Sequence, residues 1–297
     1  VNDEEENRGI APLPNLDFKF VTANSLIGLP SSQANSQVGL FEDQEGINKL
    51  KAVRDMYFNA SGTEREQLKL QFVQIQNKMF QKMIQEHTLA ELTQKLSSWN
   101  PFGHEASDWF DPEWMFGIKK GFDIIMANPP YIGERGNEKL FHEVVKTEFG
   151  KRHYTRWMDY FYFFFHLALE YGSKNAIITF ISTNYYLTAT GGKKLREDFK
   201  LRSNILRLVN FNELKIFENA LGQHNIITIL SSKNNSENTS KNCITKKRGA
   251  AKIEDLQKII DGVDKETDYY NVKQNELYEG SDHQIRISGA LNNNAQP

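Results

Sequence analysis

An alternation that begins at Phe122 constrains this chain most. Phe122–Ala127 (FDIIMA) is a short, continuous apolar run of the kind carried by a parallel strand buried on both faces. Residues 157–171 read as a helix, 175–181 (NAIITFI) as a second buried strand, 190–201 as a helix, and 205–211 and 226–230 as further strands. Such a succession predicts an α/β fold: an open, largely parallel sheet flanked by helices, whose ligands bind at the carboxyl ends of the strands.

Upstream of this alternation, residues 16–23 (LDFKFVTA) alternate apolar and polar side chains and stop at Asn24, which reads as a strand presenting a polar residue at its end. Residues 47–96 are rich in Gln, Glu and Lys, with Leu68, Phe72, Ile75 and Met79 at helical spacing. They predict a helical insertion, in outline residues 42–98, folded as a hairpin. Pro, Gly and scattered aromatics make 99–121 an irregular loop. Downstream, 231–242 (SSKNNSENTSKN) reads as a polar linker, followed by a weaker mixed tail with a short helix near 253–260.

Composition removes several classes. With 36 Lys+Arg against 38 Asp+Glu, any polyanion site must be local rather than global. The single Cys243 excludes a disulfide framework and makes a reducing, cytoplasmic setting the simplest expectation, and no Cys/His cluster has zinc-finger spacing. The longest aromatic-aliphatic run, 160–169, is broken by His166 and is too short to cross a bilayer, so no membrane partner is expected. The Val start and the featureless last residues lead us to expect a piece of a longer protein.

The residues that carry chemistry are Asn128-Pro129-Pro130-Tyr131, directly after FDIIMA. Two prolines hold the backbone extended and remove two N–H donors, leaving carbonyls at the strand end. The side-chain carbonyl of Asn128 and the main-chain carbonyl of Pro129 can both accept hydrogen bonds from one planar NH₂ group. Two acceptors on its hydrogens favour a pyramidal nitrogen whose lone pair can attack a methyl sulfonium in line. Tyr131 offers a face on which a planar substrate stacks, so Tyr131→Phe should be mild. A structural Pro-Pro turn with a buried Asn and a core Tyr is the alternative.

FDIIMANPPYIG resembles motif IV of amino-group DNA methyltransferases, and the order of elements over residues 15–232 resembles the γ class of adenine-specific enzymes in type IIG restriction-modification systems. The resemblance implies a partial Rossmann-like sheet of the S-adenosylmethionine-dependent methyltransferase kind with a helical insertion. It implies S-adenosyl-L-methionine as cofactor, double-stranded DNA as partner, and methylation of the exocyclic amino group of a flipped adenine. By the same resemblance Asn128, Pro129 and Tyr131 are catalytic, with Tyr131 also holding the target base. Phe217 contacts the flipped base, while Asn24 and Phe164 contact the cofactor's adenine. Residues 1–232 would be the catalytic portion, and 233–297 a linker and the start of a downstream DNA-recognition region.

Departures from the family pattern matter. Tyr171-Gly172-Ser173-Lys174-Asn175 stands where the family usually has Lys-Pro-Gly-Gly, and none of the 19 Gly residues forms the G-x-G of a cofactor loop. The chain alone is therefore expected to bind the methyl donor weakly or not at all, to be inactive, and to expose a sheet edge that invites self-association. A P-D…E-x-K nuclease core is absent, since Asp111-Pro112 runs in reverse order. Protein-glutamine methyltransferases also carry NPPY but lack such an insertion, and a non-catalytic nucleic-acid-binding scaffold is the other alternative. His224 is expected to make a loop hydrogen bond rather than act as a base. Two cationic groups, Lys193, Lys194 and Arg196, and Lys246, Lys247 and Arg248, are either solvated faces or phosphate contacts.

Overall fold

The computed structural model describes residues 20–29, 43–86, 91–103, 105–217, 224–233 and 239–289. Two compact units divide the chain at Lys119/Lys120.

In the first unit, α1 (Gln44–Tyr57), α2 (Gly62–Gln85) and α3 (Glu91–Ser98) form the insertion, so it contains three helices rather than a hairpin. Asp43 caps α1 by accepting from the Gly46 amide at 3.3 Å. Leu50, Val53 and Tyr57 of α1 share a core with Leu68, Phe72 and Met79 of α2 and Leu96 of α3. The spacing of these residues along α2 gives it the apolar stripe that the sequence shows. Of the strand expected over 16–23, residues 16–19 lie outside the described residues. In the remainder Ala23 makes an isolated bridge with Ser107, and beyond it Gly28 makes another with Phe110, instead of a strand. The reversed Asp111-Pro112 pair has a local purpose: Asp111 Oδ1 accepts from the Trp114 amide at 2.8 Å and Pro112 opens the short helix α4 (Pro112–Phe116).

The second unit is the α/β part. It runs β1 (Phe122–Ala127), α5 (Glu138–Val145), α6 (Glu148–His153), α7 (Phe161–Tyr171), β2 (Gly172–Thr183), α8 (Lys193–Arg202), β3 (Ser203–Asn210), β4 (Leu214–Lys215), β5 (Asn225–Ser232), β6 (Thr239–Thr245), β7 (Gly249–Ala250), α9 (Ile253–Asp261) and β8 (Thr267–Lys273). Six strands form one sheet in the order β1-β2-β5-β3-β6-β8. This sheet is mixed, not largely parallel. Strands β1 and β2 pair in parallel, as do β3 and β6, but β5 lies antiparallel to both its neighbours and β8 is antiparallel to β6. An apolar run carries no sign of strand direction, which is why the sequence did not reveal the reversal of β5.

Helix α7 covers one face of the sheet. Phe161, Phe163 and Phe165 are buried, and the Phe165 ring stacks on Phe180 of β2 at 4.4 Å between centroids. Gly172 follows Tyr171 with no intervening loop, so the turn that departs from the family pattern is a direct helix-to-strand junction. The helix begins at Phe161 rather than 157 because residues 157–160 serve the preceding loop. Sheet pairing also continues beyond residue 232: β6 and β8 extend it, although 231–242 was expected as a linker.

Strand β1 departs most from expectation. It lies at the end of the strand order, and Ile124 and Met126, on one face, are 67% and 75% exposed. Its residues suit burial on both faces, yet among the described residues β1 is paired only on the β2 side.

Candidate active site

Because β5 is reversed, its start lies at the same end of the sheet as the ends of β1, β2 and β3. That end gathers Asn128 after β1, Thr183 and Asn184 at the end of β2, Asn210 at the end of β3, and His224 and Asn225 at the start of β5. Ligands of open α/β sheets bind at such an end.

Asn128 is the first residue beyond β1 and is exposed, whereas Pro129 is buried. The Tyr131 hydroxyl donates to Asn128 Oδ1 at 2.7 Å, with the Ile181 carbonyl of β2 at 3.1 Å as its alternative acceptor. The Tyr131 ring meets Phe161 of α7 edge-on at 6.0 Å. Burial pushes the Tyr131 hydroxyl up to about 12, so it stays a proton donor throughout the physiological range. One lone pair of Asn128 Oδ1 is thereby used within the protein, and the other remains for an incoming N–H.

The residues beyond Tyr131 are strapped to the loop before α7. Ile132 O accepts from the Tyr160 amide at 2.7 Å, Gly133 bridges Asp159, and the Glu134 amide donates to Met158 O at 3.1 Å. The Glu134 carboxylate accepts from the Tyr154 hydroxyl and the Trp157 amide.

Other candidates fall as follows. Phe164 is the half-exposed ring in an otherwise buried run and packs edge-on to Tyr160 at 5.9 Å. Phe217 is half-buried shortly after β4. Asn24 belongs to the first unit, where its Oδ1 accepts from the Leu26 amide at 3.3 Å in a tight turn. His224 Nδ1 bonds Asn212 O at 2.9 Å, the loop contact that the sequence suggests.

The cationic groups are engaged. Lys193 pairs with Asp282 at 2.8 Å, and Lys194 donates to the carbonyls of Arg152 and Tyr154 at 2.8 and 3.1 Å. Arg196 is buried and bonds the carbonyls of Tyr186, Ala189 and Asp282, which makes it a structural residue rather than a phosphate contact. Lys246, Lys247 and Arg248 face Asp268, Asp255 and Glu213 respectively.

Sequence reasoning passed over three features. Thr183 and Asn225 are cross-strand partners whose buried Thr183 Oγ1 and both Asn225 amide atoms lack hydrogen-bond partners among the described residues. The exposed Trp157 gave no signal inside what read as a helix. Finally, His153, His166 and Asp198 bring ligand-type atoms close together. These two imidazoles stack at 4.1 Å and 22°, so their in-plane lone pairs run side by side instead of converging, and Arg202 already balances Asp198. The group is a hydrogen-bonded core network joining α6, α7 and α8.

A family model described as Eco57I restriction-modification methylase matches residues 25–217, well over half of the chain. Among solved structures, the type IIG restriction endonuclease BpuSI is 15% identical over 63% of this chain and 24% of its own, with a TM-score of 0.40. A type I restriction-modification methyltransferase subunit from Streptococcus thermophilus is 12% identical over 67% of this chain and 44% of its own, with a TM-score of 0.44. A modification subunit of a putative type I restriction enzyme from Vibrio vulnificus is 14% identical over the same shares, with a TM-score of 0.43. The chain spans less than half the length of each.

Proposed function

Because the chain belongs to the Eco57I restriction-modification methylase family, we propose that it supplies the catalytic residues for transfer of a methyl group from S-adenosylmethionine to the exocyclic amino group of adenine in double-stranded DNA. The observation that carries this reading is the Asn128 side chain, exposed at the end of β1 and held there through Oδ1 by Tyr131.

The reading assigns these roles. Asn128 Oδ1, through its remaining lone pair, and the Pro129 carbonyl accept the two hydrogens of the amine. Both bonds concentrate electron density on nitrogen, and fixed acceptors need not reorganise as positive charge develops there. By the family resemblance, Tyr131 and Phe217 are the aromatic residues that contact the extruded base. The amine's proton leaves after attack, so no side chain is needed as a strong base. His224, occupied with Asn212, is not assigned that role.

When bound, S-adenosylmethionine supplies an electrophilic methyl group on a sulfonium. The residues here fit it in part: Phe164 offers a half-exposed ring, but no G-x-G loop exists in the sequence to let the backbone approach the methionine portion. We therefore assign these 297 residues the base-side half of the site and weak or no affinity for the donor. Calorimetric titration of S-adenosylmethionine into the chain tests this. Negligible heat is expected, and a dissociation constant in the low micromolar range would contradict the assignment. Radiolabelled methyl transfer to DNA by the complete gene product, analysed for the modified base, tests the reaction. Label in adenine is expected, and label in protein glutamine or in no substrate would overturn it.

A further inference from the structure

Trp157 is the one exposed residue among the four tryptophans: Trp99, Trp109 and Trp114 are buried, while Trp157 is 66% exposed. It also occupies the left-handed region, with φ of 64°, a conformation that an L side chain of this size adopts only when its surroundings impose it. The imposition is visible. The Trp157 amide donates to the Glu134 carboxylate, and the Trp157 carbonyl lies so close to Gly191 that a Cβ there would meet it at 2.4 Å. Lys194 supports the same loop through the carbonyls of Arg152 and Tyr154. The Arg156 guanidinium lies 4.9 Å from the indole centre, and Arg156 is itself exposed. A strained backbone thus presents a large aromatic ring and a cation to solvent, where neither contributes to the core.

The position of this loop gives the display a purpose. Residues 158–160 pair with 132–134, the three residues immediately after Tyr131, so the ring is tied by backbone hydrogen bonds to the segment that carries Asn128. We propose that Trp157 and Arg156 form a DNA contact beside the active site. The indole stacks on a base exposed next to the extruded adenine, and the guanidinium meets the adjoining phosphate. Stacking of a base on an aromatic ring tolerates any sequence, and a nearby cation suits the phosphate backbone. This proposal rests on the methylase reading for DNA as the partner and for the extruded adenine beside which the ring stacks; that the ring and the guanidinium contact nucleic acid is tested separately.

The experiment titrates the full chain with a short mixed-sequence duplex while following tryptophan emission and, separately, affinity. Binding should quench the solvent-exposed component of the emission, and Trp157→Phe should abolish that quench. Trp157→Gly should weaken affinity roughly tenfold or more. Because glycine accepts a positive φ, the same variant should keep or raise the melting temperature, which separates a lost contact from a lost fold. Unchanged affinity in Trp157→Gly, no binding by the wild-type chain, or a marked fall in melting temperature would overturn the proposal. Trp157-dependent DNA binding alongside a complete gene product that methylates no DNA would sink the methylase reading and leave this contact standing.

Discussion

The Tyr131 hydroxyl lies 2.7 Å from Asn128 Oδ1 and fixes the amide of the residue on which the proposed chemistry depends. The sequence assigns Tyr131 a stacking face, so that its hydroxyl would matter little. In the structure the ring packs against Phe161 and the hydroxyl donates to Asn128 Oδ1, with the Ile181 carbonyl of β2 as its alternative acceptor. Tyr131→Phe is therefore expected to lower turnover several-fold, in line with loss of one hydrogen bond worth about 1 kcal/mol, with KM for DNA little changed. Tyr131→Ala removes the ring as well and should cost a further 1–3 kcal/mol, roughly, in holding the base. Steady-state kinetics of the complete gene product separates the two, and wild-type turnover in Tyr131→Phe would return Tyr131 to a stacking role alone.

Acid sensitivity should arise from His166. Burial moves its imidazole down to about 4, because the hydrogen bond to Asp198 does not offset the loss of water. Burial opposes the charge of Asp198 too, but hydrogen bonds from His166 and Arg202 outweigh it and keep the carboxyl well below its usual range. With Arg202 balancing Asp198, the neutral imidazole is the favoured form. A histidine whose folded pKa is depressed contributes stability that is complete above the unfolded value of 6.5 and lost as pH falls towards 4. The amount at stake is on the order of 3 kcal/mol. Denaturant unfolding measured at steps between these pH values should show a steep fall for the wild type and a shallower one for His166→Asn, which keeps a donor towards Asp198. Equal slopes would exclude His166 as the source.

The unpaired side of β1 makes a second physical claim. Ile124 and Met126 are exposed on a strand that, among the described residues, lies at the end of the sheet with β2 as its one neighbouring strand, an arrangement that invites another strand. Sedimentation equilibrium of the chain should reveal concentration-dependent association, and the double substitution of Lys for Ile124 and Met126 should suppress it without lowering the melting temperature. A monomer at every concentration would refute this account of the edge.

Legibility in the sequence followed the strength of local signals. The aromatic helix and the α2 stripe were readable because burial imposes a period or a run; FDIIMA was readable as a strand from its apolar run alone, although Ile124 and Met126 are exposed, and the two prolines after it mark where the strand ends. The direction of β5 was not readable, since antiparallel and parallel strands share the same apolar residues. Strands β6 and β8 were hidden by polar residues such as Ser240, Asn242 and Thr245, which are buried nonetheless. For Asn242 the burial has a visible basis: its Oδ1 accepts from the Leu208 amide at 3.0 Å and its Nδ2 donates to Ile287 O at 2.9 Å. Trp157 was masked by the helix that follows it, and the Tyr131 hydroxyl contact depends on β2, fifty residues away.

Methyl transfer by Asn128→Ala in the complete gene product tests the central claim most directly. Loss of one of two preorganised acceptors should reduce turnover by roughly a hundredfold or more. DNA affinity should stay nearly unchanged, because phosphate contacts elsewhere dominate it. Turnover within a few-fold of wild type in that variant would contradict the assignment of Asn128 as the group that activates the amine.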